Sequence, residues 1–271
     1  EEKDEERMVM KVAMVSEHAS PLAALGGVDA GGQNVHVAAL SASLASRGHQ
    51  VEVFTRRDDP DLPDRIRTED GYTVVHVSAG PAEPLPNDDV LPYMGAFARG
   101  LDRDWTGNRP DVVHAHFWTS GIAAQLAARR HRVPAVQTFH TLDVVNRRHQ
   151  GDQDAHDTSP PGRLRLEKLV AREATWVTAS STDEVFELMR LGRDRSRTSV
   201  APSGVDPDEF TPDGPVTAGA RRRRIIAAGR LVPRKGFDNV IQALGAAPDA
   251  ELVVAGGPAP AELGGDPEAR R

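Results

Sequence analysis

A chain of 271 residues, 39% hydrophobic and 27% charged, has a globular composition and is long enough for one large or two ordinary domains. Its net charge of -7 argues against a general nucleic-acid binder, and the absence of cysteine excludes disulfides, Cys-ligated zinc and thiol catalysis. No apolar run is long enough to span a membrane and the polar start EEKDEER lacks a secretory core, so a cytoplasmic protein without stable membrane insertion is expected.

The run Val9 to Glu17 is continuously apolar, as a strand covered on both faces is. Val37, Leu40 and Leu44 then recur at helical spacing until Gly48, and Val51 to Arg56 reads as the next strand. The alternation continues through a strand at Tyr72 to Ala79, a helix at Val90 to Leu101 and a strand at Asp111 to His116. A helix at Ser120 to Arg130 and a strand at Ala135 to His140 follow, and then a polar stretch, Asn146 to Gly162, expected to be a functional loop. Helix Arg163 to Ala174, strand Ala174 to Ser180, helix Thr182 to Leu191 and strand Thr198 to Gly204 complete an α/β pattern that predicts a doubly wound parallel sheet.

Residues 8–204 are therefore expected to form a first Rossmann-like domain, and the Pro-, Gly- and Asp-rich residues 205–219 a linker. Residues 220–271 start a second βαβ unit, with strands at Arg224 to Leu231 and Ala250 to Gly257 and a helix from about Phe237 to Leu244. Asp266 and Pro267 form a helix-start pair with four residues after the proline, so this second domain is expected to be incomplete. Its apolar residues Ile225, Ile226, Leu252, Val253 and Val254 are expected to be exposed. Arg221 to Arg224 reads as a solvated turn before the strand.

Three groups of residues point to chemistry. Gly31 and Gly32 stand where a helix starts after the first strand, and bare amides there suit phosphate, although the spacing is neither G-x-G-x-x-G nor a P-loop. Arg230 ends a strand and Lys235 precedes a helix, a pair suited to clamping a diphosphate or, on the plainer reading, two surface cations in a turn. His114, His116 and His140 lie at strand ends beside the predicted crevice, where imidazoles donate to substrate hydroxyls or pack in the core. No further ligand stands at metal spacing, so no metal is expected. Phe117 to Gly121, with Trp118 and Thr119, is read as a loop whose ring and hydroxyls suit either a sugar or plain packing.

The segments GGVDAGGQNVHV, DVVHAHFWTSG, VQTFHTL, SSTDE, PSGVD, GRLVPRKG and ELVVAGGP, in this order, resemble the retaining nucleotide-sugar glycosyltransferases of the GT-B fold. The resemblance is to the group containing sucrose and sucrose-phosphate synthases and inositol-phosphate glycosyltransferases. It implies a two-domain enzyme that moves a sugar from an NDP-sugar to an acceptor hydroxyl with retention and no cofactor beyond that co-substrate. By the same resemblance Gly32 approaches the donor phosphates, with Gly31 beside it. Arg230 and Lys235 bind the diphosphate and stabilise the departing NDP, and His140 contacts the transferred sugar. His116, Trp118 and Thr119 are assigned to the acceptor, with the loop Pro81 to Pro92 and residues 146–162 shaping its pocket. The family's two donor-site glutamates after a Pro-Phe-Gly turn would fall beyond Arg271, so part of the donor site is expected to be missing and the chain alone to turn over little. A partner chain that supplies the rest, an epimerase of the same fold and, from the α/β pattern alone, a nicotinamide oxidoreductase are the competing readings. The last is disfavoured by the missing dinucleotide fingerprint.

Overall fold

The computed structural model describes residues 8–23, 31–86, 89–150, 160–214, 223–229, 231 and 235–256. The chain divides into two units: of the described residues the larger takes 8–23, 31–145 and 160–203, and the smaller takes 146–150 and those after Ser203. Up to that point it forms β1 (Lys11–Val15), α1 (Gly32–Ser46), β2 (Gln50–Arg56), β3 (Arg65–Arg67), β4 (Thr73–Val77), α2 (Met94–Gly107) and β5 (Val112–His116). These are followed by α3 (Trp118–His131), β6 (Ala135–Thr138), α4 (Asp143–Gln150), α5 (Arg163–Glu173), β7 (Trp176–Ala179), α6 (Thr182–Arg190) and β8 (Thr198–Val200).

The eight strands make one sheet in the order β3-β4-β2-β1-β5-β6-β7-β8, parallel except for the β3–β4 pair. Strand order runs outward from β1 in both directions, so the topological switch point lies between β1 and β5, where sheets of this kind hold ligands at the carboxyl ends of the strands. The continuous apolar run of β1 has its reason in the layers. Ala13 and Val15 pack with Phe97 and Leu101 of α2 and Ala124 of α3, while Val12 and Met14 pack with Val37 and Leu40 of α1. Both faces are covered, so neither can be polar.

Several elements differ from their sequence expectations. Strand β3 is a three-residue antiparallel edge, too short to show a period, and its arginines supply the charge that keeps an edge from pairing further. Helix α2 starts at Met94, because Pro92 sits in a 3₁₀ turn at Leu91–Tyr93, and it runs on to Gly107 with Met94, Phe97, Ala98, Leu101 and Trp105 buried at helical spacing. The stretch expected to be one loop from Asn146 begins instead as part of α4, which places Val144 and Val145 against the core. Residues 151–159 lie outside the described residues.

Helix α3 comes unusually close to β6. A methyl group on Gly121 would overlap the Gln137 side-chain oxygen and Val170 of α5. Gln137 cannot swing away, since its amide donates to the carbonyls of Phe117 at 3.0 Å and Thr138 at 2.9 Å. Gly121→Ala is therefore expected to cost about 1–3 kcal/mol of stability by overpacking, read as a lowered urea midpoint at unchanged slope. An unshifted midpoint would show that the α3–β6 approach relaxes freely.

The second unit holds β9 (Arg223–Ala228), α7 (Phe237–Leu244) and β10 (Ala250–Ala255), with β9 and β10 parallel. Arg223 and Arg224 belong to β9 rather than to a turn before it, and Arg224 pairs with Glu251 at 2.6 Å. Ile225, Ile226, Val253 and Val254 are exposed and Leu252 half-buried. Among the described residues no helix is long and apolar enough to cross a membrane.

Candidate functional site

At the switch point, side chains from β1, α1 and β5 lock together. Ser16, directly after β1, donates its hydroxyl to the Ala19 carbonyl at 2.9 Å and accepts from Gln33 Nε2 at 3.1 Å. The same Gln33 amide reaches the His116 carbonyl at 3.4 Å, so one side chain of α1 ties β1 to β5 across the crevice. Asn34 fixes the start of the helix: its Oδ1 accepts from Gly31 N–H at 3.2 Å and its Nδ2 donates to the Ser20 carbonyl at 2.9 Å. Gly31 is the N-cap in an extended conformation, φ -126° and ψ -178°, which any residue can adopt. Among the described residues, a Cβ added at Gly31 or at Gly32 meets nothing within 4 Å. Neither packing within the described chain nor backbone strain therefore requires glycine at either position. Both glycines stand at the positive end of a helix of 15 residues.

Glu17, buried to 1% exposure, is the centre of a second arrangement. Its carboxylate accepts from the Thr119 and Ser120 hydroxyls and lies 2.9 Å from His18 Nδ1, while its backbone N–H donates to Ser120 Oγ at 3.0 Å. A buried carboxylate is tolerable only with donors around it, and the first turn of α3 supplies two of them. His18 sits edge-on to Phe117, ring centroids 4.8 Å apart. Sequence reading passed over Glu17. Its signal was a charged residue closing an otherwise apolar run.

Phe117 and His140, which follow β5 and β6, both have positive φ, 76° and 61°, and neither is glycine. Such conformations cost of order 1–3 kcal/mol each and persist where the surroundings dictate them. Around them four imidazoles converge. His116 Nδ1 is 3.0 Å from His140 Nε2, and His114 Nε2 is 2.8 Å from Thr138 Oγ1. His36 of α1 stands edge-on to His140 at 5.2 Å. Burial pushes all four below the ordinary histidine range: His114 and His140 to about 3, His116 well down, and His36 downward. They are neutral at physiological pH. Among the described residues no group of three or more His, Asp or Glu side chains is placed to hold a metal ion.

The structure brings Gly31, Gly32, His116, Thr119 and His140 to the same sheet edge, but it changes the surroundings of three expected acceptor residues. His116, Trp118 and Thr119 have no exposed surface. Phe117 to Gly121 is not a loop: α3 begins at Trp118, whose ring packs with Phe139, Leu142 and Val177, while Thr119 is occupied by Glu17. A side chain without exposed surface has none to offer an acceptor. Beside Trp118 lies a pair that sequence reading did not single out, Arg163 with its Nε 2.8 Å from Glu167, the guanidinium stacked over Phe117 and Trp118. Burial raises the Glu167 pKa against the pull of Arg163. The loop after Pro81 is held to β2 by Arg56, which donates to the carbonyls of Pro81 and Glu83, each at 2.6 Å.

In the second unit Lys235 is exposed and immediately precedes the Gly236 cap of α7, its aliphatic stem 3.9 Å from where a Gly229 side chain would begin. It thus lies by the carboxyl end of β9. Arg230 lies outside the described residues.

Comparison with known proteins agrees with this geometry. The chain is 41% identical over 264 residues to a D-inositol 3-phosphate glycosyltransferase of Xylanimonas cellulosilytica, a match covering 91% of this chain and 63% of that protein. It is 38% identical over 261 residues to the enzyme of the same name from Mycobacterium marinum, covering 93% of this chain and 56% of the relative. The chain thus spans about three-fifths of the length of these relatives. Among solved structures, sucrose-phosphate synthase of Thermosynechococcus elongatus matches with a TM-score of 0.80 and 26% identity, over 93% of this chain and 63% of that one. Anabaena HepE, solved with UDP and glucose, has the same fold at a TM-score of 0.62 and 16% identity, over 94% of this chain and 63% of that one. The family model for Glycosyltransferase Family 4 matches residues 30–209, from the glycine turn before α1 to beyond β8, and the chain belongs to that family.

Proposed function

We propose that this chain serves the transfer of a sugar from an NDP-sugar to an acceptor hydroxyl with retention of configuration. One observation carries the reading: in a chain of this family, Gly31 and Gly32 open α1 at the switch point with no side chain and, among the described residues, no steric need for its absence. The amides there take a donor phosphate, because glycine lets the oxygens reach the backbone and the helix terminus favours their charge. Arg230 and Lys235 take the diphosphate. Their cations stabilise the NDP as it leaves, which is the main catalytic device in a reaction that needs no metal and no other cofactor. His140, neutral and held at positive φ, contacts the transferred sugar. The acceptor hydroxyl attacks from the face on which the NDP departs.

The acceptor is a phosphorylated polyol, for which D-inositol 3-phosphate is the first candidate because the relatives at about 40% identity carry it in their name. His116, Trp118 and Thr119 support the pocket from beneath, and the Arg56-anchored loop after Pro81 forms part of its wall. The test pairs the purified chain with a chimera that appends the remaining segment of the Xylanimonas relative. Each is given UDP-, GDP- and ADP-sugars with D-inositol 3-phosphate, and the anomeric configuration of the product is read by NMR. Retained transfer is expected from the chimera, and acceptor binding with little turnover from the chain alone. No transfer from any nucleotide sugar by either protein would overturn the reading, and an inverted product would overturn its stereochemical part.

A further inference from the structure

His116 has two ring nitrogens in unlike situations. Nδ1 lies 3.0 Å from Nε2 of His140, whereas Nε2 is buried with no hydrogen-bond partner among the described residues. The two rings stack with centroids 5.2 Å apart and planes 29° from parallel. Both imidazoles are neutral, so each carries one N–H, and the short contact holds a single proton whose owner decides both tautomers.

If His140 Nε2–H donated, His116 would have to carry its own proton on Nε2, where nothing accepts it. That is a buried orphan N–H, the rarer and costlier defect. If His116 Nδ1–H donates, the unpartnered Nε2 is only a bare lone pair. His36 and His114 do not alter the choice. Their rings approach His116 at 5.7 and 4.2 Å without a hydrogen bond to it, and His114 is engaged with Thr138.

We propose that His116 is a positioning residue that holds His140 as the Nδ1–H tautomer, so that His140 meets its ligand as a hydrogen-bond donor through Nδ1. Among the described residues the His140 ring bonds only through Nε2, to His116, which leaves the Nδ1 proton for an outside oxygen. This deepens the reading of His140 as the sugar contact and rests on it: a hydroxyl oxygen of the sugar accepts the Nδ1 proton. It also gives the wholly buried His116 a task that touching an acceptor could not.

Long-range ¹H–¹⁵N correlation spectra of the full chain labelled with ¹⁵N-histidine, recorded at neutral pH, read the tautomer directly, and H140Q assigns the His140 signals by their loss. Expected is a protonated Nδ1 and an unprotonated Nε2 on His140, with the same pattern on His116. His140 protonated on Nε2 overturns the proposal in the wild-type chain, whatever the fate of any variant. In H116F, which offers no donor, the His140 proton is expected to move at least partly to Nε2, and in H116N, whose amide can still donate, to return. An unchanged Nδ1–H in folded H116F would overturn the role of His116. In the chimera, which carries the remaining donor-side segment, adding UDP-, GDP- or ADP-glucose should shift the His140 Nδ1 signal. If the tautomer is as stated and none of them moves it, the sugar contact fails while the positioning by His116 stands.

Discussion

Gly32→Ala is expected to leave the fold intact and to weaken donor phosphate binding by ten- to a hundredfold. The first half follows from geometry. A Cβ at this position meets nothing within 4 Å among the described residues, and the residue is helical, where alanine is favoured over glycine by up to ~1 kcal/mol. The melting temperature should be unchanged or slightly raised. The second half follows from the proposed ligand, since a methyl group between the first-turn amides and an anionic oxygen lengthens charge-assisted hydrogen bonds, each worth about 1.5–3 kcal/mol. The measurement is NDP affinity and transfer rate in the chimera, beside thermal unfolding of the chain. Destabilisation without loss of affinity would mean that the glycine serves the fold; loss of neither would remove the phosphate from this turn. Gly121→Ala is its counterpart, since that glycine is closed in by protein atoms and should lose stability.

Acid should destabilise the first unit steeply and well above the range in which carboxylates titrate. Burial holds the folded-state pKa of His114 and His140 near 3, and that of His116 far below its ordinary value, whereas in the unfolded chain all three titrate near 6.5. The unfolded state therefore binds more protons. The stability associated with these neutral rings is fully present above pH 6.5 and is lost as pH falls from there towards 3, at about 1.4 kcal/mol per pH unit for each ring. Three rings together amount to about 4 kcal/mol per unit, a large share of the ~5–15 kcal/mol that stabilises a typical domain. Glu167 acts with the opposite sign. Its folded pKa is raised by burial, as is that of Glu52, so both gain stability as pH falls towards their unfolded values, but they act nearer the carboxylate range. The urea midpoint should stay level from pH 8 to 7 and drop sharply between 6.5 and 5, with a shallower drop in H114Q. A profile flat down to pH 5 would mean that these imidazoles are hydrated.

Much of this was legible in the residues alone. The helix α7 was located to the residue, because Gly236 and Gly245 bracket a strongly amphipathic segment. Strands β1, β2, β5 and β6 were found within a few residues, since interior parallel strands must be apolar on both faces and leave a continuous run. The helix start at Gly31 and Gly32 was legible because four glycines in Gly26 to Gly32 cannot extend either neighbouring element. The histidines at strand ends were marked as candidates by position only.

Their arrangement could not be read that way. Which nitrogen of His116 faces His140, and that Glu17 collects hydroxyls from Thr119 and Ser120 about a hundred positions away, depend on β5 lying between β1 and β6. That adjacency is a property of strand order, which no local period encodes. The FWTSG segment shows the limit most clearly: its ring and hydroxyls suit a sugar or a core equally well in one dimension, and only burial against Phe139 and Glu17 assigns them to the core. Composition and periodicity determined the elements and the glycine turn, because these follow from backbone and solvent preferences of neighbouring residues. The tertiary structure alone decided which side chains share the crevice, because that depends on the sheet's switch point bringing distant strand ends within hydrogen-bonding distance.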